Sequence, residues 1–239
     1  MKRAIIGCLL LMTLAAQPQK KTESFWAKLL RIAGVSASPG ALRGDDQAAS
    51  GDIWLATVAE KPVLRRLTRD GGYQSPIFDS RNENIFALKE GGLYRIGVGG
   101  DPPIRLRALD GVSKLVGASH DDPDQLLVVT EDSHHTPGAA MLSVGTGTLT
   151  RIPDNPNSAE DRGMLAHLKG WERVYGDTRL YCENNEKEGP GDSTIEFSDV
   201  YLRKGNGPPL NLTMGNGVSS SQPSLSSNGG QVVFIRAWR

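Results

Sequence analysis

Short runs of alternating apolar and polar residues predict that most of this chain forms β-strands. From Gly51 onward these runs are separated by turns rich in Gly, Pro, Asn and Asp. One pattern occurs twice, in residues 75–87 and 222–234: a short strand containing proline, a polar turn, and an apolar strand ending at or beside Phe. Each copy has the form of the inner hairpin of a propeller blade. Because a single blade cannot bury its own apolar faces, we expect several blades arranged in a ring.

The remaining runs group into blades of four antiparallel strands. Three blades are predicted, at residues 74–78, 84–88, 92–96 and 104–106, then 114–118, 125–130, 140–144 and 148–152, then 164–168, 179–183, 200–203 and 210–213. Two outer strands at residues 53–58 and 63–68 lack an inner hairpin, and the inner hairpin at residues 222–225 and 231–236 lacks outer strands. These halves are complementary, so we expect them to pair, complete a fourth blade and close the ring without an exposed sheet edge. The predicted fold is an all-β propeller.

The two copies carry a specific turn and strand signature, in Pro76 and Phe78 of the first copy and in Pro223, Ser226, Asn228, Gly229 and Phe234 of the second. This signature resembles the repeat of the TolB-like propellers, also called PD40 or WD40-like repeats. The first copy has Asp79-Ser80-Arg81-Asn82 where the family has Ser-Pro-Asp-Gly, and Leu225 replaces the aromatic residue in the second. The resemblance implies a non-enzymatic protein-interaction scaffold with a protein partner in the periplasm or cell envelope. Rings of this family usually have six or more blades, so a monomer and a ring-completing homodimer both stay open.

The N-terminus has the pattern of a secretory signal. Lys2 and Arg3 precede an apolar run at residues 4–16, and small residues place cleavage near Ala15 or Ala16. We therefore expect residues 1–16 to be a signal peptide and the protein to be periplasmic or secreted. Residues 17–50 are predicted to form a short amphipathic helix followed by a linker, and residues 51–239 the propeller domain. Membrane contact is expected only through the N-terminal segment.

Charge and composition narrow the possible partners and chemistry. The formal net charge is +0 at pH 7, which argues against nucleic acid as a partner. Once the signal is removed Cys182 is the only cysteine, so no disulfide forms within the mature chain, and we expect Cys182 to be a small buried residue. The adjacent His134 and His135 point in opposite directions on an extended segment and therefore predict no metal site. No cofactor or catalytic motif is found; whether the chain is an enzyme stays open, with a non-enzymatic role favoured.

Loop length indicates where a partner binds. Long connections are predicted at residues 131–139, 153–162 and 184–198, all on the face that carries the links from second to third strand and from blade to blade. Binding residues collect in such loops on a rigid scaffold. The predicted partner-contact residues, all from this face, are Tyr73, His134, His135, Glu186, Lys187 and Glu188. The alternative is a propeller that binds or processes a carbohydrate or peptide in its central channel.

Overall fold

The computed structural model describes residues 50–119, 122–131, 137–152, 177–190, 193–215 and 217–237. The described residues contain fifteen strands and no helix: β1 (Asp52–Thr57), β2 (Leu64–Arg66), β3 (Gln74–Phe78), β4 (Asn84–Lys89), β5 (Gly92–Gly97), β6 (Ile104–Ala108), β7 (Val112–Ala118), β8 (Gln125–Glu131), β9 (Pro137–Ser143), β10 (Leu149–Ile152), β11 (Thr178–Glu188), β12 (Thr194–Lys204), β13 (Leu210–Asn211), β14 (Ser220–Leu225) and β15 (Gln231–Arg236). The signal peptide, the helix, His134, His135 and the strand at residues 164–168 lie outside the described residues.

The strands form four antiparallel sheets, as predicted. Blade I is β3-β4-β5-β6 and blade II is β7-β8-β9-β10. Blade III contributes β11-β12-β13 in the described part of the chain, and its innermost strand was predicted at residues 164–168. Blade IV combines the two ends of the described chain in the order β14-β15-β1-β2. The all-β propeller architecture is thereby confirmed.

Blade IV joins the two ends of the ring. Strand β1 pairs with β15 over six residue pairs, from Asp52 opposite Arg236 to Thr57 opposite Gln231. Both strands are buried: Ile53, Val233 and Phe234 have no exposed surface. Completely burying an aliphatic side chain of this size contributes about 1.5 to 3 kcal/mol, so the junction is part of the core and not a surface contact. The predicted pairing of the N-terminal outer strands with the C-terminal hairpin is confirmed.

Apolar side chains fill the spaces between neighbouring blades. One cluster joins blades IV and I and includes Ile53, Phe78 and Val233. A second joins blades I and II around Leu93, Leu115 and Leu126. A third joins blades III and IV through Leu180, Val200, Leu212 and Phe234. Blades I and IV therefore each bury both of their faces against neighbouring blades, as a ring of sheets requires.

The repeated proline occupies a bulge in the innermost strand. The ladder between β3 and β4 shifts register between Gln74 and Ile77, and the ladder between β14 and β15 shifts between Ser221 and Ser224. Pro76 and Pro223 lie within these shifts. A residue without an N–H suits a position where the ladder is interrupted, so the repeated proline has a structural cause.

The turns of the two inner hairpins lock neighbouring blades together. Asn82 has a φ of 58°, in the left-handed region, where the equivalent turn of blade IV has Gly229 with a φ of 69°. Asparagine tolerates this conformation better than most residues. Its side chain donates to Ser227 Oγ at 2.7 Å and accepts from the Ser227 amide at 2.8 Å. The departure of the first copy from the family's turn thus provides a contact between blades.

Blade III departs from the predicted pattern. Residues 184–198 were predicted as a long loop, but β11 and β12 continue through most of this segment and pair from Thr178 opposite Lys204 to Glu188 opposite Thr194. The loop prediction is wrong because hydrogen bonds between the two main chains sustain the hairpin without an apolar pattern. Cys182 is exposed, so its predicted burial is also wrong. No helix in the described part is long and apolar enough to span a membrane.

Candidate functional site

Because successive strands run in opposite directions, three kinds of segment emerge on the same face of the propeller. The hairpin between β11 and β12, the connections from each outer strand to the next blade, and the ends of β15 and β1 all lie there. Strands β11 and β12 have 11 residues each, whereas those of blade I have five or six. We call the outer half of this hairpin, residues 184–188 and 194–198, the arm, and the face that carries it the arm face.

One side of the arm is acidic. In this hairpin Asn184 lies opposite Ser198, Glu186 opposite Glu196, and Glu188 opposite Thr194, all with side chains on the same side. Glu186, Glu188 and Glu196 are exposed. Two glutamates directly opposite each other repel, and the described residues form no ion pair with either of them. This side of the arm therefore presents exposed negative charge.

The base of the arm is held by a buried carboxylate. Asp199, 1% exposed, accepts hydrogen bonds on one oxygen from Thr213 Oγ1 at 2.6 Å and from the Gly215 amide at 3.2 Å. Its other oxygen accepts from the side-chain amides of Asn185 and Asn211, both at 3.1 Å. These bonds join the hairpin to the connection between β13 and β14. The network fixes the position from which the arm projects.

Two stacked tyrosines and a buried arginine also lie at the base of the arm. The rings of Tyr181 and Tyr201 stack with centroids 5.7 Å apart, on the side of the hairpin that also carries Asp199. The Arg236 guanidinium is buried over the Trp54 ring, 5.0 Å from its centroid, and donates to the Thr213 carbonyl oxygen. Burial lowers the pKa of Arg236, and the nearby Asp199 carboxylate opposes that shift. The arm thus rises from a packed, hydrogen-bonded base.

Beside the arm, the connection between β13 and β14 exposes an apolar side chain. Met214 is 54% exposed and has a φ of 64°. Its amide, together with that of Thr213, donates to the Asn211 side-chain oxygen at 2.9 Å, which holds this turn. A Cβ at the nearby Gly217 would collide with the Lys187 side chain, so this connection packs closely against the arm. An exposed methionine on a fixed turn is a natural apolar contact for a partner.

The side chain of Tyr73 is buried. Tyr73 is 1% exposed and packs in the core between blades IV and I, with its hydroxyl 3.2 Å from the Asp70 carboxylate. Burial, reinforced by the Asp70 charge, raises the pKa of the Tyr73 phenol. The prediction of Tyr73 as a contact residue does not fit this position, because the blade packing covers its ring.

Next to Tyr73, Asp70 and Lys89 form an ion pair on the arm face. Lys89 donates to the Asp70 carboxylate at 2.6 Å and lies over the Tyr73 ring, 4.7 Å from its centroid. Partial burial would raise the pKa of Asp70, but the hydrogen bond and charge of Lys89 outweigh that effect and lower it. The pair fixes the connection between β2 and β3 and exposes little apolar surface.

Three of the predicted contact residues are brought together, whereas Tyr73 is buried and His134 and His135 lie outside the described residues. Glu186, Lys187 and Glu188 all lie in the arm, in strand β11 and not in a loop. Sequence reasoning missed Glu196, which becomes a neighbour of Glu186 only through the register of the hairpin, and Met214. The only sequence signal for Met214 was a single large apolar residue in a polar turn. The described residues contain no cluster of side chains suited to a metal ion.

The central channel is lined by the innermost strands. The side-chain oxygen of Gln222 in β14 accepts a hydrogen bond from the Ser75 amide of β3. Ser75 and Gln222 both have positive φ, 49° and 51°, and each directly precedes the bulge proline. The polar side chain of Gln222 thus supports the bulge of the neighbouring blade.

Comparisons with known proteins find solved structures of low sequence identity to this chain. No family model matches the chain, and no curated protein matches it by sequence. Among solved structures, a putative TolB from Agrobacterium tumefaciens is 17% identical with a TM-score of 0.37, covering 77% of this chain and 60% of that one. TolB from Acinetobacter baumannii is 14% identical with a TM-score of 0.34, covering 75% and 45%. The chain resembles the TolB-like propellers.

A propeller from a different class of protein also matches. The β-propeller domain of the Trilobed protease from Pyrococcus furiosus is 9% identical with a TM-score of 0.28, and the match covers 69% of this chain and 55% of that domain. The chain thus spans less than two thirds of the length of each of these structures.

Proposed function

We propose that the chain is an exported, non-enzymatic propeller that binds a protein partner in the periplasm or cell envelope through its arm face. The observation that carries the proposal is the arm. It extends strands β11 and β12 beyond the length of the other blades, and most of its side chains are exposed. Its position on a rigid ring is where recognition segments are commonly found.

The arm buries little apolar surface, which supports a role other than stabilising the core. Ordering a residue's backbone costs about 1 to 2 kcal/mol, and this cost is normally offset by burial of apolar surface. Within the arm only Phe197 is buried. A two-stranded ribbon with so little apolar burial is marginal by itself, so its base on Asp199 and the blade must hold it in place. An element that contributes little to the core and is held firmly is well placed to present side chains to a partner.

Met214 and the acidic side chains offer complementary contacts. Protein interfaces combine an apolar anchor with a polar rim. Here the exposed Met214 lies on the connection that packs against the arm, and Glu186, Glu188 and Glu196 lie on the arm itself. We expect Met214 to be the anchor and the glutamates to set the orientation of the partner.

The proposal is tested by affinity purification of the tagged protein from envelope extracts. The double variant E186K/E188K and the variant M214S should each retain less partner than the wild-type chain. The matched control is E60K, because Glu60 is an exposed glutamate in the turn between β1 and β2, on the opposite face. Equal capture by all variants would count against the arm face. The circular dichroism spectrum of each variant shows whether the ring is intact.

Export is tested separately. Full-length chain expressed in a bacterium should appear in the periplasmic fraction with a mature N-terminus just after Ala15 or Ala16, as read by mass spectrometry. Replacing Leu9 and Leu10 with arginine should keep the chain in the cytoplasm, because a charged segment no longer has the apolar run of a signal. Cytoplasmic location of the wild-type chain would remove the periplasmic part of the proposal.

A further inference from the structure

Among the described residues, no strand pairs with the outer edge of β12 along the arm. The amide of Val200 donates to Thr213 Oγ1 and its carbonyl accepts from the Leu212 amide, so the main-chain groups of Val200 point away from β11. Because N–H and C=O groups alternate sides along a strand, those of Thr194, Glu196 and Ser198 also point outward. Strand β13 pairs with β12 only at Tyr201 and Leu202, and the described residues offer no main-chain partner to these three.

An open edge is a template for another strand. Proteins normally cover such edges or protect them with charge, and recognition domains use them to bind extended peptides. Here the edge is short and carries the exposed Glu196, with the exposed Glu186 and Glu188 on the adjoining strand β11. Like charges of this kind oppose pairing with a second copy of the same arm. The same charge favours a strand of opposite sign.

The positions of Glu186 and Glu196 favour a basic strand beside β12. Glu186 and Glu196 form a pair whose main-chain groups point away from each other, the arrangement in which opposing side chains lie closest. A strand added beside β12 would place alternate side chains about 4.5 to 5.5 Å from Glu196 on the same side. Lysine or arginine at those positions would relieve the repulsion between the two glutamates.

We propose that the outer edge of β12 at residues 194–198 binds an extended, basic segment of a partner protein by strand addition. This inference rests on the proposed function, because it names the kind of segment that the arm face recognises. Main-chain hydrogen bonds to Glu196 and Ser198 would supply affinity, and the glutamates would supply the preference for lysine or arginine. Anionic partners such as nucleic acid or an acidic membrane surface are disfavoured by the same charges.

The first experiment varies the ligand and leaves the protein unchanged. The probe is a fluorescent octapeptide of alternating lysine and threonine, measured by anisotropy with the full chain. We expect saturable binding that weakens as salt is raised. The same peptide with glutamate in place of lysine should not bind. A version methylated on alternate amide nitrogens, which keeps every charge, should bind about tenfold more weakly because it cannot complete the ladder.

The second experiment varies the arm. The variant E186Q/E196Q should raise the dissociation constant of the lysine peptide about three- to tenfold, as expected for two exposed charge contacts. The matched control is E183Q, which removes an exposed glutamate from the other side of the same hairpin and should change the constant less than about twofold. Hydrogen exchange adds a positional readout: bound peptide should slow exchange of the Glu196 and Ser198 amides.

Three results would overturn strand addition. Equal binding of the methylated peptide would show that charge alone attracts the ligand, and unchanged exchange at Glu196 and Ser198 would place the ligand elsewhere. Absence of binding by the lysine peptide would also reject the inference. The proposed function is judged separately, since capture of a protein that depends on Met214 would survive each of these results.

Discussion

At the scale of single residues, Asp199 links the core of blade III to the exposed arm. Its carboxylate accepts four hydrogen bonds and has no unused oxygen facing solvent. We predict that D199N lowers the free energy of unfolding by about 1 to 3 kcal/mol, because an amide nitrogen would then face the donors of Asn185 and Asn211. Urea unfolding measures this, with E183Q as the control on the same hairpin. A D199N protein as stable as wild type would show that the network is not structural.

The ion pair of Asp70 and Lys89 gives a pH prediction at the same scale. The lowered pKa of Asp70 means that its stabilising contribution is present above the ordinary value of 3.8 and is lost as pH falls through the lower folded value. The Asp70 side chain is 59% exposed, so the effect on stability is small. In K89M the pKa of the Asp70 carboxyl should rise, as measured by NMR titration. An unchanged titration curve would contradict the assigned cause.

At the scale of elements, the arm should be separable from the ring. Replacing residues 186–196 with Asn-Gly joins Asn185 to Phe197 through a two-residue turn suited to a hairpin, and retains the contacts of both residues. Because the deleted part buries no large apolar side chain, we expect the melting temperature to change by only a few degrees. Partner capture and binding of the lysine peptide should both be lost. A protein that no longer folds would show that the arm is structural.

The arm also shows which elements a sequence can predict. Strand β3 was predicted at residues 74–78 and lies at Gln74–Phe78, because buried apolar residues and turn residues mark both of its ends. In contrast, Glu186-Lys187-Glu188 has no apolar period, since hydrogen bonds between two exposed main chains need none. The pairing of Glu186 with Glu196 depends on hairpin register and could not be obtained from spacing along the chain. The pairing on which the proposed binding edge depends was therefore the least visible in the sequence.

At the scale of the whole molecule, the complementary half-blades predicted the closure of the ring. Apolar strands at the two ends of the propeller segment each lacked a partner, and burial of Ile53 against Val233 and Ile235 supplies the reason that they meet. Which connections share a face followed from strand alternation alone. Burial of Tyr73 did not follow, because a tyrosine next to a turn can point to solvent or into the space between blades, and only packing decides.

Closure within one chain gives a prediction for the assembled ring. Thr57 lies opposite Gln231 in the pairing of β1 with β15, and the bond from the Val58 amide to the Gly230 carbonyl makes this a pair with closely spaced Cα atoms. Such pairs suit a disulfide.

In a background with Cys8 and Cys182 replaced by serine, T57C/Q231C should oxidise to a monomer on a non-reducing gel. The bond closes a loop that spans most of the ring, so oxidation should raise the free energy of unfolding by up to about 5 kcal/mol. Gln231→Cys alone is the control for the effect of the substitution. A disulfide-linked dimer as the main product would mean that β1 pairs with β15 of a second copy, and the arm face would then be repeated on a larger ring.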